Sequence, residues 1–210
     1  MKAFEEQLDR LVALGYPAML GCSAGEFREH LDGLRAHVSA EAPGLDVAEG
    51  TVAYVLVVNC AAAPVAKTLP LVVRDGRAAI ERLFPRKPDF FRPAPSLAIP
   101  SGHAYLLLDV DRGNSSLNAV PKDARARIAA EGRMPLTIEE GVALLTQYPE
   151  FLQPNHCFMM LGSRGDDKRV PALWLSGKQP KLGWCWEGNP HTWLGFASCS
   201  GRSPGVAIPG

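Results

Sequence analysis

The fold class is decided by residues 157–176, which read CFMMLGSRGDDKRVPALWLS. Two apolar runs flank a charged segment that contains two glycines, a pattern typical of two strands joined by a turn. Two more strand-like runs follow, KLGWCW at 181–186 and TWLGFASC at 192–199. Because these short strands succeed one another without helices between them, we expect a largely antiparallel sheet in the second half of the chain.

Earlier in the chain, apolar and β-branched runs predict strands at 51–59 (TVAYVLVVN), 68–74 (TLPLVVR) and 104–113 (AYLLLDVDRG). Between them lies a stretch with five prolines, 84–103, which cannot form a regular element. Loops of this length are often lids or binding loops. Its Phe90 and Phe91 fit a lid, or they pin the loop to the core; both interpretations stay open.

Helices are predicted mainly at the N-terminus. Residues 3–14 carry Phe4, Leu8 and Leu11 on one helical stripe, and Gly15 ends the pattern. Further helix starts are indicated by a Ser23–Glu26 capping box, a cap at Asp123 and a Thr137–Glu140 capping box. We therefore predict an α+β chain of one domain, with a helical part at 1–40, a sheet-rich part at 50–202 and a mobile tail at 203–210.

Charge and hydropathy exclude several classes of partner. Lys plus Arg number 22, and so do Asp plus Glu. With no excess of positive charge, we expect neither nucleic acid nor a membrane surface as a partner. No apolar run approaches the roughly 20 residues of a membrane span. The N-terminal residues are acidic where a signal peptide begins basic, and the five cysteines lack framework spacing, so a cytoplasmic location is expected.

The strongest candidate site is KLGWCWEGNPHTWLG, residues 181–195, which holds three of the four tryptophans. Strand alternation places Trp184 and Trp186 on one face and Cys185 on the other. We expect the aromatic face to bind a small molecule, with Trp193 and the turn residue Asn189 as further substrate-binding groups. The alternative is that the tryptophans are core residues and the turn satisfies its own backbone.

Two arginines in the turn 162–169 suit an anion. Arg164 and Arg169 stand beside Gly162 and Gly165, and Arg forks match sulfate, phosphate or carboxylate while glycine lets backbone amides approach. The alternative is an ordinary solvated turn, because such turns need glycine and polar residues in any case.

Four residues are candidates for a catalytic base. Asp109 and Asp111, two residues apart at a strand end, can act as base or metal ligands, or they simply form an Asx turn. Glu187 and His191 flank the tryptophan face. Without close Cys or His pairs and without a nucleotide-binding motif, neither a metal nor a cofactor is expected.

Several long blocks resemble a known family. AYLLLDVDRG (104–113), GRMPLTIEEGVALLTQYPEFL (132–152), residues 157–176 and PKLGWCWEGNPHTWLGFASC (180–199) are similar to an uncharacterised bacterial family, domain of unknown function 5701. The stretch NCAAAPVAKTLPLVV, 59–73, departs from that pattern. The chain also resembles, more loosely, the larger subunit of two-subunit enzymes that close aziridine rings in natural-product biosynthesis.

That looser resemblance implies a cofactor-independent enzyme that closes a ring by intramolecular amine displacement of a sulfate. It also implies an anionic small-molecule substrate and a small partner subunit. Arg164 or Arg169 would hold the anion, and Glu187, His191, Asp109 or Asp111 would act as the base. The competing hypothesis is a non-catalytic binding or accessory subunit, because Trp and Arg are also enriched in protein interfaces.

Overall fold

A computed structural model of the chain describes residues 3–38, 46–59 and 61–208. The ends of the predicted helical part and tail, 1–2, 39–40 and 209–210, lie outside the described residues. In the described ranges the α-helices are α1 (Phe4–Ala13), α2 (Tyr16–Leu20), α3 (Ala24–Asp32), α4 (Val65–Thr68), α5 (Pro121–Ala130) and α6 (Ile138–Gln147). The strands are β1 (Thr51–Val58), β2 (Val73–Arg74), β3 (Arg77–Ala78), β4 (Ile80–Glu81), β5 (Arg92–Pro93), β6 (Ala104–Asp111), β7 (Met134–Pro135), β8 (Cys157–Met159), β9 (Ser163–Arg164), β10 (Arg169–Ser176), β11 (Gln179–Trp186), β12 (Leu194–Phe196) and β13 (Ser198–Arg202).

Four strands form an antiparallel sheet in the order β1-β6-β13-β7. One face of this sheet carries Tyr54, Leu56 and Leu106, which pack with the apolar stripes of α1 to α3. The opposite face carries Val55 and Leu107, which belong to a larger core shared with the rest of the chain. The sheet is therefore covered on both faces, as its almost uninterrupted apolar sequence requires.

A second sheet has the order β12-β8-β10-β11-β4, and its centre is the antiparallel hairpin β10–β11. Helix α6 packs against β1 of the first sheet and β10 of the second. Gly141 allows this close approach, because a Cβ at that position would collide with the Met160 side chain. Small ribbons β2–β3 and β5–β9 complete the α+β architecture, which confirms the predicted class.

Both predicted capping boxes are confirmed. The Ser23 hydroxyl accepts a hydrogen bond from the Glu26 N–H at 3.2 Å, and the Thr137 hydroxyl accepts one from the Glu140 N–H at 3.3 Å. Each Glu carboxylate in turn accepts a hydrogen bond from the backbone N–H of its cap residue. The long-loop prediction for 84–103 agrees with the structure except for a 3-10 turn at Pro88–Phe90 and the two-residue strand β5. Phe91 is buried in the core and Phe90 is partly exposed.

Two element predictions were wrong. Residues 68–74 do not form a strand: the segment is the end of α4, a 3-10 turn at Leu69–Leu71 and the two-residue β2. Pro70 explains the difference, because proline cannot donate to a sheet ladder. Helix α5 is not capped by Asp123; it begins two residues earlier, with Pro121 in the first helical position, where its missing N–H has no cost.

The run 192–199 is divided between the two sheets. Its first part is β12 in the second sheet and its last part begins β13 in the first, with buried Ala197 at the crossing. The following tail also lies against the protein as far as it is described. Val206 bridges to Ala104, and Ile208 is 1% exposed within the core beneath α1 to α3.

Candidate functional site

The tryptophan face of β11 forms as strand alternation predicts. The rings of Trp184 and Trp186 lie 4.9 Å apart between centroids. Arg169 pairs directly with Trp186 across the hairpin, and its guanidinium lies 4.4 Å and 4.7 Å from the two ring centroids. The same guanidinium forms an ion pair with Asp167. Arg169 is therefore already engaged by two rings and one carboxylate.

Arg164 and Glu187, predicted as anion binder and base, form an ion pair with each other. Their side chains are 24% and 25% exposed. The hydrogen bond from Arg164 is the main reason that the pKa of Glu187 lies below its ordinary value. A carboxylate with a lowered pKa is a weaker base, and an arginine with a carboxylate partner has less charge to offer an anion. The two residues are close together but neutralise each other.

A hollow of about 330 Å³ lies beside this pair, on the ribbon β5–β9. Arg92 is the cross-strand partner of Arg164, and the other walls are Asp89, Phe90 and Asp166 with Gly165. The lining thus holds two arginines and two aspartates, so its positive and negative charges balance.

His191 and Trp193 belong to a separate group. Their ring centroids are 5.3 Å apart, and Trp193 is 6.3 Å from Trp174, with which it borders another hollow of about 330 Å³. Burial lowers the pKa of His191 from its usual value. Asn189 lies exposed in the turn, where its backbone N–H donates to the Trp186 carbonyl at 3.1 Å. In the described ranges, no hydrogen bond, ion pair or ring contact joins His191 to the Trp184–Trp186 face.

Asp109 and Asp111 lie at the end of β6 and have local partners. Asp109 adopts a left-handed conformation, φ 48°, and pairs with Arg133 at 2.6 Å. Asp111 accepts from the Gly113 N–H, which is the Asx turn that was the alternative to a catalytic role. Across residues 3–38, 46–59 and 61–208, no three His, Cys, Asp or Glu side chains are grouped as metal ligands.

A further cavity, of about 410 Å³, contains a carboxyl group that the sequence motifs did not indicate. It is bordered by the end of β1, the start of α4 and the loop residues Lys87 to Asp89, and Glu139 lies in its wall. The Glu139 Oε2 atom is buried and has no hydrogen-bond partner. Burial raises the pKa of the Glu139 carboxyl, and hydrogen bonds with its own backbone and the Thr137 hydroxyl offset this only in part. Such a group can exchange a proton with a bound molecule.

Behind Glu139 lies a buried charge cluster centred on its neighbour Glu140. The Glu140 carboxylate is fully buried and accepts two hydrogen bonds from Arg202, at 2.6 Å and 2.8 Å. It also accepts from the Tyr105 hydroxyl at 2.8 Å and the Thr137 N–H at 2.7 Å. The charge of Glu140 adds to the effect of burial on the pKa of Glu139.

Comparison with known proteins identifies the family. A family model described as "Family of unknown function (DUF5701)" matches residues 10–205, from within α1 to beyond β13. The chain belongs to this family. The match bears out the resemblance, which was close in the C-terminal blocks and looser in the N-terminal helices and first strand. No curated protein and no solved structure matches the chain.

In this DUF5701 chain, sequence reasoning missed Glu139 for a physical reason. In LTIEE the residue reads as an ordinary first-turn acid beside the Thr137–Glu140 capping box. The cavity around it is formed by Asn59 and by residues within 61–66 and 87–89, which are distant in sequence. The available signal was the length of the loop 84–103, for which a lid was one of the two interpretations left open, since Lys87 to Asp89 form part of the cavity wall.

Proposed function

We propose that this chain is a small-molecule enzyme in which Glu139 exchanges a proton with the bound substrate. The observation that carries the proposal is the Glu139 Oε2 atom, buried without a hydrogen-bond partner beside a cavity of about 410 Å³. Natural small-molecule sites have volumes of roughly 300–1,000 Å³, with a few polar groups that converge on the ligand. The raised pKa of Glu139 also brings its titration closer to neutral pH, where a general acid or base works best.

The four bases expected from the sequence are less suited to this role. Glu187, Asp109 and Asp111 are held by an arginine or a backbone N–H, and in Glu187 the pairing lowers the pKa. The His191 ring makes an edge contact with the Trp193 ring. The three carboxylates would lose the stabilisation of these partners on taking a proton from a substrate. The His191 Nε2 atom is, like Glu139 Oε2, buried without a hydrogen-bond partner, but only Glu139 of the two borders the cavity of about 410 Å³.

The narrower form of the proposal is aziridine ring closure in natural-product assembly. It rests on the looser resemblance to the larger subunit of aziridine-forming enzymes. In that reaction an amine nitrogen attacks a carbon of the same molecule, and the C–O bond to a sulfate breaks with its electron pair leaving on the sulfate. The amine proton passes to the base, for which Glu139 is the group that the geometry favours. The sulfate would leave as an anion, and Lys87 at the cavity is a cation to which it can bind.

The proposal is tested with 5-nitrobenzisoxazole, whose ring opens when a base removes its C–H proton. We expect wild-type protein to open this probe with a rate that rises as Glu139 loses its proton. Glu139→Gln should lose about 100-fold or more, the lower end of what a general base contributes. Glu29→Gln, an exposed position on α3, is the matched control and should keep the wild-type rate.

A second variant separates access from chemistry. Ala66→Trp, an exposed cavity residue, fills the space without changing a charge and should also abolish turnover. If Glu139→Gln and Ala66→Trp both turned the probe over at the wild-type rate while remaining folded, the proposal would be wrong.

The accessory-subunit hypothesis has one observation in its favour. Phe84 is 87% exposed and Trp186 is 41% exposed, and the Trp184 indole N–H joins them by donating to the Phe84 carbonyl at 3.2 Å. Exposed aromatic clusters often mark protein interfaces. If a partner subunit covers this surface, the Phe84→Ala/Trp186→Ala variant should bind that partner more weakly, as measured by co-sedimentation. Unchanged binding would argue against the accessory-subunit hypothesis.

A further inference from the structure

We infer that the ligand of the Glu139 cavity is a small aliphatic amine that also carries an anionic group. This inference rests on the proposed function, because it takes the same cavity as the site. It adds the chemical class of the ligand, which the proton-transfer role of Glu139 does not by itself determine.

The amine end follows from the acceptors in the cavity wall. Glu139 Oε2 is buried and lacks a donor, and an unsatisfied buried acceptor is costly unless a ligand supplies the missing hydrogen bond. Asp89 provides a second carboxylate in the wall. An ammonium group has three donors and a positive charge, so it can donate to Glu139 Oε2 and complement the negative charge that Asp89 brings to the wall.

The anionic end follows from Lys87. Lys87 borders the same cavity, and it forms no ion pair with any residue that the structure describes. A lysine is a compact point charge that binds carboxylate, phosphate or sulfate without demanding a planar geometry. The cavity therefore offers one cation and two acids, a complement for a molecule that carries both signs of charge.

The apolar walls determine the rest of the ligand. Apart from Asn59 and the charged groups, the described part of the lining is formed by Ala, Pro and Val side chains. It contains no aromatic ring on which a nucleobase or another planar group could stack. The volume of about 410 Å³ suits one small molecule rather than a polymer segment. Together these features favour an aliphatic chain between the amine and the anion.

The test uses ligand-observed NMR titrations with matched probes: ω-amino acids of two to six carbons, and the alkylamines and alkanoates of the same lengths. A charge-assisted hydrogen bond contributes ≈ 1.5–3 kcal/mol, so we expect the best amino acid to bind about tenfold or more tightly than its matched amine and alkanoate. Glu139→Gln should weaken the amino acid and the amine by about tenfold and leave the alkanoate unchanged. Lys87→Met should reduce the amino acid to the affinity of the amine.

The control is Lys178→Met, which removes an exposed lysine in the turn between β10 and β11. It should leave all three affinities unchanged. The inference is overturned if no amino acid in the series binds, if an alkanoate binds as tightly as its amino acid, or if Glu139→Gln has no effect on amine binding. These outcomes are distinct from failure of the proposed function: Glu139-dependent opening of 5-nitrobenzisoxazole without amine binding would retain the enzyme and reject this ligand class.

Discussion

Replacement of Arg202 by Met should destabilise the protein far more than the loss of any surface ion pair. Arg202 is 3% exposed in its side chain and Glu140 is fully buried, and two hydrogen bonds join them. Met fills a similar volume but leaves the Glu140 carboxylate buried without its counter-charge. Removal of one partner from a buried pair costs about 3–5 kcal/mol.

The structure favours the lower end of that range. Glu140 keeps two donors in the variant, the Tyr105 hydroxyl at 2.8 Å and the Thr137 N–H at 2.7 Å. We therefore expect a loss of about 3 kcal/mol in the free energy of unfolding. In a chain of this size, 1 kcal/mol changes Tm by roughly 2–4 °C, so Tm should fall by about 6–12 °C.

The assay is urea unfolding at pH 7, followed by circular dichroism, together with a thermal scan. Arg28→Met is the matched control, because Arg28 pairs with Asp9 at 2.6 Å on the surface, where both side chains are exposed. Such pairs contribute about 0–1 kcal/mol. If Arg202→Met lost no more stability than Arg28→Met, the buried pair would not have the role assigned to it.

Three other predictions concern single substitutions. The raised pKa of Glu139 means that folding favours its protonated form, so wild type loses stability as pH rises from about 4.3 through that raised pKa. Glu139→Gln has no such cost, so its free energy of unfolding in urea should equal that of wild type in acid and exceed it at pH 7. A difference that did not grow with pH would contradict the pKa shift. Gly113→Ala should lower the free energy of unfolding by about 2–5 kcal/mol, because its φ is 85° and a Cβ would collide with the backbone of β12. Gly132→Ala, with φ 67° and open space around the Cβ, should lower it by about 1–2 kcal/mol in the same thermal scans. Equal losses of stability in the two variants would refute the steric argument. Glu187→Gln should release Arg164 and strengthen the change that sulfate causes in tryptophan fluorescence, whereas an unchanged titration would exclude Arg164 as an anion site.

Local patterns predicted the elements whose causes are local. The two capping boxes need a hydroxyl and a carboxylate three residues apart, so Ser23 and Thr137 could be read directly as helix starts. Strand alternation likewise predicted the shared face of Trp184 and Trp186, since both lie on one strand. The misassigned strand at 68–74 was also a local matter, because Pro70 lies within it and proline cannot donate to a sheet ladder.

The candidate site was less predictable because its properties depend on distant segments. Whether Glu187 is a base or an ion-pair partner depends on Arg164, 23 residues earlier in the sequence. The same holds for Glu139, whose burial needs the loop after β1 and the loop 84–103 to meet at the first turn of α6. A sequence pattern reports which groups are present, but a pKa depends on burial and charges that the fold brings together.

The family match covers both candidate regions, the cavity and the tryptophan hairpin. Part of the cavity wall is formed by Asn59 and by residues within 61–66. In the described residues, none of the helices combines the length and hydropathy needed to cross a membrane.

The buried Glu140–Arg202 pair has a consequence for the order in which the protein forms during synthesis. The two residues are 62 positions apart, and Arg202 belongs to β13, the last strand. At about 5–20 residues per second, Glu140 leaves the ribosome roughly 3–12 s before its counter-ion. Helix α6 therefore cannot settle between the sheets with a neutralised carboxylate until Arg202 has been synthesised, and a chain released before that point would expose the helix to chaperones and proteases.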